Sequence, residues 1–328
     1  MISLGLLGCG RIGQVHAASI ARMPDAKLTA VSDAVPDAAE ALAAHARADV
    51  RASEAIMTAD DIDAVIIATP TTLHYDQIHA LAREGKAIFC EKPIDLSSER
   101  AAECMNAVAD AGVPFFTAFN RRFDPHFAHL QAQLAEGAIG NTELVIITSR
   151  DPAPPPISYI EQSGGLFRDM MIHDFDMARF LLGEEPVELY AVGACHVDPE
   201  IGAAGDIDTA MVTLKTASGA LCQINNSRRA TYGYDQRIEV HGATGMLQAA
   251  NQLEHHVTQA GSHGFTVAPN QHFFLERYEA AYLAEMTSFV SALMDARTPM
   301  PGIADGVAAQ RLADAAAASF ASGAPVML

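Results

Sequence analysis

Cysteine is scarce in this sequence, and its arrangement excludes two kinds of structural cross-link. The 328 residues include five cysteines, an odd number without a Cys-x-x-Cys pair: Cys9, Cys90, Cys104, Cys195 and Cys222. This pattern predicts neither a disulfide framework nor a structural zinc site, and no group of His, Asp and Glu residues has metal-ligand spacing. A protein without a metal, in a reducing, cytoplasmic setting, is therefore predicted.

Basic residues are also few. The chain has 21 Lys and Arg against 40 Asp and Glu, a formal net charge of −19. Because this charge repels polyanions, nucleic acid and anionic membrane surfaces are not expected as partners. A neutral substrate meets no such barrier.

Long apolar runs are missing as well. No run reaches the roughly 18 apolar residues of a transmembrane helix, and the short run before Cys9 lacks the basic start and the length of a signal peptide. Half of the residues are nevertheless hydrophobic, so folding can bury enough apolar surface to offset the entropy of ordering the chain.

The order of the apolar segments predicts an α/β protein of two domains. Over residues 1–119, short buried-strand runs alternate with helix-length stretches, as in a doubly wound parallel sheet. Over residues 120–328, several β-branched runs follow one another without helices between them. This predicts a C-terminal α+β domain built on a large, mostly antiparallel open sheet. Within it we expect an irregular loop over 151–163, where four prolines lie, and one continuous helix over 166–182.

A glycine-rich turn, Gly8-Cys9-Gly10-Arg11-Ile12-Gly13, follows the first predicted strand and opens the first helix. In this pattern the first glycine allows a tight turn, the second lets a pyrophosphate approach the backbone, and the third allows close helix–strand packing. Asp33 ends the second strand, twenty residues beyond Gly13, where a carboxylate accepts hydrogen bonds from the adenosine ribose. Because Asp33 repels a 2′-phosphate and no arginine follows it directly, a Rossmann domain that binds NAD rather than NADP is predicted. The alternative is an ordinary glycine turn with a capping aspartate.

A lysine lies where ligands bind in open α/β sheets. The segment Glu91-Lys92-Pro93 follows the strand Ala87–Cys90 at its carboxyl end. Proline restricts the backbone of Lys92 to extended or turn conformations, which can aim its side chain into a cleft. A lysine alone is more often a solvated surface residue, so Lys92 needs a partner before it indicates catalysis.

The predicted helix over 166–182 supplies such a partner. At about 100° per residue, Asp169, His173 and Asp176 fall on one narrow stripe, opposite an apolar stripe. Two carboxylates beside one imidazole raise its basicity and fix its tautomer, as a general base requires. Gly164-Gly165 before the helix would let a substrate or nicotinamide approach the backbone. The alternative is a capping carboxylate and a histidine packed in a core.

These motifs together resemble the glucose–fructose oxidoreductase / inositol dehydrogenase (Gfo/Idh/MocA) family. The resemblance rests on the glycine turn, Ala68-Thr69-Pro70 with His74, Glu91-Lys92-Pro93 and the run from Gly164 to Asp174. Segments 119–124 (FNRRFD) and 232–237 (YGYDQR) are most similar to NAD-dependent inositol 2-dehydrogenases. The proline-rich loop over 151–163 matches no family pattern, which leaves ring specificity open.

The resemblance implies a catalytic triad of Lys92, Asp169 and His173. It also implies substrate contacts from Arg121, Asp176 and Tyr232, with Arg122 and Tyr234 as adjacent alternatives, and a homotetramer assembled through the open sheet. The expected cofactor-binding residues are Gly8, Gly10, Arg11, Ile12, Gly13, Asp33, Thr69, Pro70, His74, Glu91 and Lys92.

The predicted reaction is oxidation of a secondary hydroxyl of a cyclitol by hydride transfer to NAD, with myo-inositol giving 2-keto-myo-inositol. Three alternatives stay open at this point. The same chemistry could act on scyllo-inositol or an aldose such as glucose. The chain could be a non-catalytic NAD-binding regulator, or its substrate could be phosphorylated and bind Arg121, Arg122 and Arg168.

Overall fold

The computed structural model describes all 328 residues and divides them into two compact units. The first unit consists of residues 1–123 and 281–311, and the second of residues 124–280 and 312–328. None of the helices is both long and apolar enough to cross a membrane.

Strands and helices are numbered here in chain order. The strands are β1 (Ile2–Leu7), β2 (Ala26–Ser32), β3 (Asp49–Val50), β4 (Ala64–Ile67), β5 (Ala87–Cys90), β6 (Phe115–Thr117), β7 (Thr142–Arg150), β8 (Pro186–Ala194), β9 (Thr209–Thr216), β10 (Leu221–Ser227), β11 (Asp235–Gly242), β12 (Gly245–Ala249), β13 (Gln259–Gly261), β14 (Gly264–Thr266) and β15 (Val326–Met327). The helices are α1 (Arg11–Ile20), α2 (Pro36–Ala46), α3 (Ser53–Met57), α4 (His74–Arg83), α5 (Ser98–Ala111), α6 (Pro125–Ala135), α7 (Ile157–Ser163), α8 (Leu166–Asp169), α9 (Ile172–Leu182), α10 (Pro199–Ala203), α11 (Phe274–Arg277), α12 (Glu279–Met294) and α13 (Ile303–Ser322).

The first unit contains a parallel sheet of six strands in the order β3-β2-β1-β4-β5-β6. Strands β4, β5 and β6 are short and buried along their whole length, as is typical of a parallel sheet covered on both faces. The order reverses between β1 and β4, and ligands of such sheets bind at the carboxyl ends of the strands beside this point. The loops after β1, β4 and β5 all begin at that edge. The predicted doubly wound domain is confirmed.

The segment 281–311 returns to the first unit, although the predicted division at 119/120 assigns it to the second domain. Phe289 packs in the same core as Phe89 and Phe116, with ring centroids 5.5 Å and 5.9 Å away. Further along, the Thr117 hydroxyl donates to the Gly302 carbonyl at 2.8 Å. Apolar residues of α12 thus complete a core whose other members lie roughly 170–290 positions earlier in the chain.

The second unit contains a seven-stranded sheet in the order β12-β11-β7-β10-β9-β8-β15. All neighbouring strands are antiparallel except β7 and β10. Helix α9 packs on β7 and β10, where Val145, Ile147 and Ile224 are buried. The mostly antiparallel sheet is confirmed, and the carboxyl ends of β7 and β10 meet the start of β11 at one edge.

Two local predictions in this unit are wrong. Residues 157–163 form α7 rather than an irregular loop, because the prolines end at Pro156, directly before the helix, and leave the following residues free to be helical. The predicted helix over 166–182 is split into α8 and α9. At the split, the Met171 amide bonds to the Leu166 carbonyl five residues back, which interrupts the regular ladder.

A buried carboxylate, Asp208, organises the turn between β8 and α10. It is fully buried and accepts hydrogen bonds from the backbone amides of His196, Val197 and Asp198 at 2.7–3.1 Å. Burial alone raises a carboxyl pKa, but these amides and the Cys195 thiol outweigh it and lower the pKa of Asp208 to about 2. The ionised carboxylate therefore stabilises the folded state.

We expect Asp208→Asn to lower the free energy of unfolding by about 2 kcal/mol at neutral pH. The folded pKa lies below the ordinary value of 3.8, so this stabilisation is present above pH 4 and is lost as the pH falls toward 2. Thermal unfolding of both proteins between pH 3 and pH 7 measures the difference. Asp61→Asn, which breaks an exposed pair with Arg51, is the control. A D208N deficit that stays constant across this range would contradict the assignment.

Candidate active site

The glycine turn of the first unit has the shape of a pyrophosphate site. Gly8 has a φ of +96°, and a Cβ there would collide with the Ala68 carbonyl; a Cβ on Gly13 would collide with the Gly8 carbonyl. Gly10, at the start of α1, faces open space instead. Gly8 and Gly13 are thus required by close backbone packing, whereas Gly10 leaves the amino end of α1 accessible to an anion.

Asp33 lies at the end of β2 and closes this turn. Its Oδ2 accepts a hydrogen bond from the Cys9 amide at 2.6 Å, and its Oδ1 accepts one from the Val35 amide at 2.8 Å. The capping role considered as an alternative is therefore present. Each carboxylate oxygen has a second lone pair for a ribose hydroxyl, so capping and ribose binding are compatible.

His74 connects the loops that follow β4 and β5. The side chain is buried, and its two ring nitrogens lie 2.9 Å from the carbonyl oxygens of Thr69 and Pro93. Burial lowers the pKa of His74, and these two carbonyls oppose the shift only in part. His74 therefore fixes the backbone of both loops, and any effect it has on a cofactor acts through them.

Glu91 connects the segment that holds Lys92 to α1. Its Oε1 lies 2.7 Å from Nε2 of the buried His16, and its Oε2 accepts the Lys92 amide at 3.3 Å. Glu285 of α12 is fully buried nearby, with no hydrogen-bond partner for either carboxyl oxygen. Burial, together with the charge of Glu91, raises the pKa of Glu285 well above its ordinary value, which favours the neutral form. No motif in the sequence indicated His16 or Glu285.

The arginines at the end of the first unit differ in their surroundings. Arg122 donates to Asp305 at 2.9 Å, and both side chains are largely shielded from solvent. Arg121 is buried, with 5% of its surface exposed. The guanidinium of Arg122 is therefore paired with Asp305, whereas Arg121 is buried.

In the second unit, the split between α8 and α9 places the predicted acid–base residues on two helices. Asp169 is the last residue of α8, and His173 is the second residue of α9; both are partly exposed. Asp176 is 1% exposed, with Arg179 Nη1 at 3.8 Å. The predicted exposed stripe therefore ends before Asp176, which lies in the buried layer beneath it.

Two residues that the sequence did not indicate contact Asp169. The Tyr159 hydroxyl of α7 donates to Asp169 Oδ1 at 2.8 Å. Arg228, which directly follows β10, donates from Nη1 and Nη2 to Asp169 Oδ2 at 3.4 Å each. One residue of α7 and one residue that follows β10 thus contact this carboxylate.

Glycine is required at position 165 for a structural reason, which differs from the predicted approach of a ligand to the backbone. Its φ is +83°, and a Cβ would come 2.8 Å from Asp206 Oδ1. That oxygen accepts the Leu166 amide at 3.0 Å and so caps the start of α8. Gly165 makes room for Asp206.

Tyr232 and Tyr234 are separated by their exposure. Tyr232 is 49% exposed, and its hydroxyl donates to Asp235 at 2.6 Å and accepts from Arg150 at 2.9 Å. Tyr234 is 6% exposed and packs edge-on against Tyr278. Of the two, only Tyr232 presents a large surface to a ligand.

The residues of the first unit fit a bound dinucleotide. An open helix start at Gly10, a carboxylate at the end of β2 and loops that meet at the switch point of the sheet are the features that such a cofactor requires. The structure contains no group of three or more His, Cys, Asp and Glu side chains placed to hold a metal ion.

Family models match most of the chain. Residues 2–119 match an oxidoreductase family described by its NAD-binding Rossmann fold. Residues 127–248 match the GFO/IDH/MocA C-terminal domain.

Individual proteins are similar over the full length. An inositol 2-dehydrogenase of Rhizobium meliloti (strain 1021) is 53% identical over 320 residues, which cover 98% of this chain and 97% of the relative. A myo-inositol 2-dehydrogenase of Thermotoga maritima is 42% identical over 319 residues, or 97% and 96% of the two chains. Among solved structures, a scyllo-inositol dehydrogenase from Lactobacillus casei with bound NAD(H) and scyllo-inositol matches with a TM-score of 0.93 at 29% identity, covering 100% of this chain and 99% of the other.

Proposed function

The chain belongs to the Gfo/Idh/MocA family of NAD-binding oxidoreductases, and we propose that it oxidises the axial 2-hydroxyl of myo-inositol to a ketone, with NAD as hydride acceptor. The observation that carries this proposal is the 53% identity, over nearly the whole chain, to an inositol 2-dehydrogenase. The presence of Lys92, Asp169 and His173 at the family's motif positions supports it.

The first unit holds the cofactor. Gly10 and the start of α1 bind the pyrophosphate, and Asp33 accepts hydrogen bonds from the ribose hydroxyls. The same edge of the sheet is lined or shaped by the other residues predicted to bind the cofactor: Arg11, Ile12, Thr69, Pro70, His74, Glu91 and Lys92. NAD, when bound, accepts a hydride from the alcohol carbon.

Lys92 and His173 divide the remaining work between them. As the alcohol carbon loses hydride, its hydroxyl must lose a proton, and His173 takes that proton as general base. Lys92 donates a hydrogen bond to the same oxygen and stabilises the negative charge that develops on it. Asp169 orients the ring of the substrate or carries part of the proton relay.

Arg121 and Tyr232 bind the hydroxyls of the polyol. The accessible Tyr232 hydroxyl is already fixed between Arg150 and Asp235, so its ring is held in one position. Asp176, which is 1% exposed in the structure, is the third residue proposed to contact the polyol.

Charge pairing favours a neutral ring over a phosphorylated one. Of the three arginines that could receive a phosphate, Arg122 pairs with Asp305 and Arg168 with Asp314. A phosphate would have to displace a carboxylate at both, in a chain of net charge −19. Scyllo-inositol is the second candidate, because a structural relative binds it.

Initial rates of NADH formation, followed by absorbance, test the proposed function. We expect NAD to be reduced with myo-inositol faster than with scyllo-inositol, other cyclitols or glucose, and NADP to be a poor acceptor because Asp33 repels its 2′-phosphate. A strong preference for NADP would overturn the role of Asp33. If no polyol leads to NADH formation, the alternative of a non-catalytic NAD-binding regulator would be favoured instead.

We also propose a homotetramer assembled through the open face of the seven-stranded sheet. Tyr190, Val192, Met211 and Leu221 are each about 40% exposed on neighbouring strands of that face, an apolar area that a partner subunit would cover. Light scattering gives the mass of the assembly, and a monomer would refute the tetramer.

We propose a cytoplasmic location, with which five free cysteines agree. Fractionation of cells would test it.

A further inference from the structure

Asp169 is held at both carboxylate oxygens by residues outside the family motifs. Tyr159 donates to Oδ1 at 2.8 Å, while the two terminal nitrogens of Arg228 approach Oδ2 at 3.4 Å. The side chain of Asp169 remains 13% exposed, so a ligand can still reach it. The carboxylate is thus both accessible and restrained.

Arg228 is the buried half of this restraint. It is 1% exposed, and its Nη2 also lies 3.6 Å from Oδ2 of Asp206. A buried guanidinium is costly unless carboxylates compensate its charge, and Asp169 and Asp206 supply that compensation. Asp206 is itself fixed by the Leu166 amide at the start of α8. Arg228 therefore connects the two ends of α8: it contacts Asp169 at the last residue and, through Asp206, the Leu166 amide at the first.

Tyr159 is the accessible half. It lies on α7, which the buried Ile160 anchors, yet Tyr159 itself is 49% exposed. Partial burial, together with the negative charge of Asp169, raises the pKa of Tyr159 far above its ordinary value. The residue is therefore a neutral phenol and a hydrogen-bond donor at any physiological pH.

We propose that Tyr159 is a positioning residue for Asp169, carried to it by the proline-rich segment, with Arg228 and Asp206 as the buried anchor. The inference rests on the proposed function, in which Asp169 acts on the substrate. The proline-rich segment would then serve to place Tyr159. Pro152 to Pro156 lie between the end of β7 and the start of α7, the helix from which Tyr159 contacts the Asp169 carboxylate.

Removal of one hydroxyl tests this role without disturbing the ring. In Tyr159→Phe, Arg228 still holds Oδ2, but Oδ1 is free to turn away from its productive orientation. We expect kcat for myo-inositol to fall about tenfold and KM to change less than about twofold, because alignment in the transition state is lost rather than binding. In an Asp169→Asn background the same substitution should change the residual kcat less than about twofold.

Tyr75→Phe is the matched control. The Tyr75 hydroxyl also donates to a carboxylate, Glu103, at 2.6 Å, but in the first unit between α4 and α5. Y75F is expected to keep the wild-type kcat and KM. A Y159F enzyme with wild-type kcat, or an equal loss of kcat with and without Asp169, would overturn the inference.

A spectroscopic readout is independent of activity. With 3-fluorotyrosine in place of all seven tyrosines, the fluorine resonance that disappears in Y159F belongs to Tyr159. This resonance should shift in D169N, while the Tyr75 resonance should not. An unshifted Tyr159 resonance refutes the contact. A wild-type protein that is inactive on every cyclitol refutes the proposed function instead, and with it the catalytic meaning of the contact.

Discussion

Replacing His173 by alanine is expected to lower kcat for myo-inositol by about 10²- to 10⁴-fold, the usual contribution of a general base. Without the imidazole, the substrate hydroxyl must lose its proton to water while hydride leaves the adjacent carbon. His173 lies at the start of α9, partly exposed, one turn beyond the restrained Asp169. The loss should appear in kcat measured at saturating NAD and inositol.

Two measurements separate loss of the base from loss of the fold. The H173A protein should bind NADH as the wild type does, and added imidazole should restore part of the rate by replacing the missing side chain. His129→Ala, at an exposed position of α6, should behave as wild type. An H173A enzyme that keeps most of its activity would remove His173 from the mechanism.

Replacing Lys92 by methionine is expected to lower kcat/KM by about 10²- to 10³-fold, as when one donor to a developing oxyanion is removed. Methionine keeps most of the length of the side chain but neither donates a hydrogen bond nor carries a charge. The neighbouring Glu91–His16 bond holds the loop after β5 through the side chain of Glu91, so the loop should keep its conformation in the variant.

The control for this substitution is Lys27→Met, at an exposed position of β2. It should leave kcat/KM unchanged, which shows that the loss in K92M does not come from a change in net charge. The midpoint of thermal unfolding of K92M should stay close to that of the wild type, which shows that the fold is kept. If K92M and K27M have the same kcat/KM, Lys92 makes no contact with the reacting oxygen.

The parts of the fold that could be predicted are those determined by local sequence. Strand β5 has the bounds predicted for the apolar run Ala87–Cys90. For α5, Ser97 caps the first turn and Gly112 adopts the left-handed conformation after the last, and both residues are visible in the sequence. The split between α8 and α9 depends instead on Leu166 accepting a hydrogen bond from Met171, for which the 3.6-residue period gives no sign.

The parts of the site that could not be predicted come from contacts between distant residues. Arg228 reaches Asp169 across 59 positions, and His16 reaches Glu91 across 75. Neither pair has a fixed spacing that a motif could show. Tyr159 is only 10 positions from Asp169, but it lies in a segment that its prolines marked as irregular, so no helix was expected to present it.

The central claim is that Lys92 and His173 act on one oxygen, and a crystal structure of the protein with NADH and myo-inositol bound tests it most directly. The account predicts that Lys92 Nζ and an imidazole nitrogen of His173 both lie within about 2.7–3.2 Å of a single inositol oxygen. The carbon of that oxygen should face the nicotinamide ring. Inositol bound with its reacting oxygen in contact with neither side chain, or with the two side chains in separate regions, would contradict it.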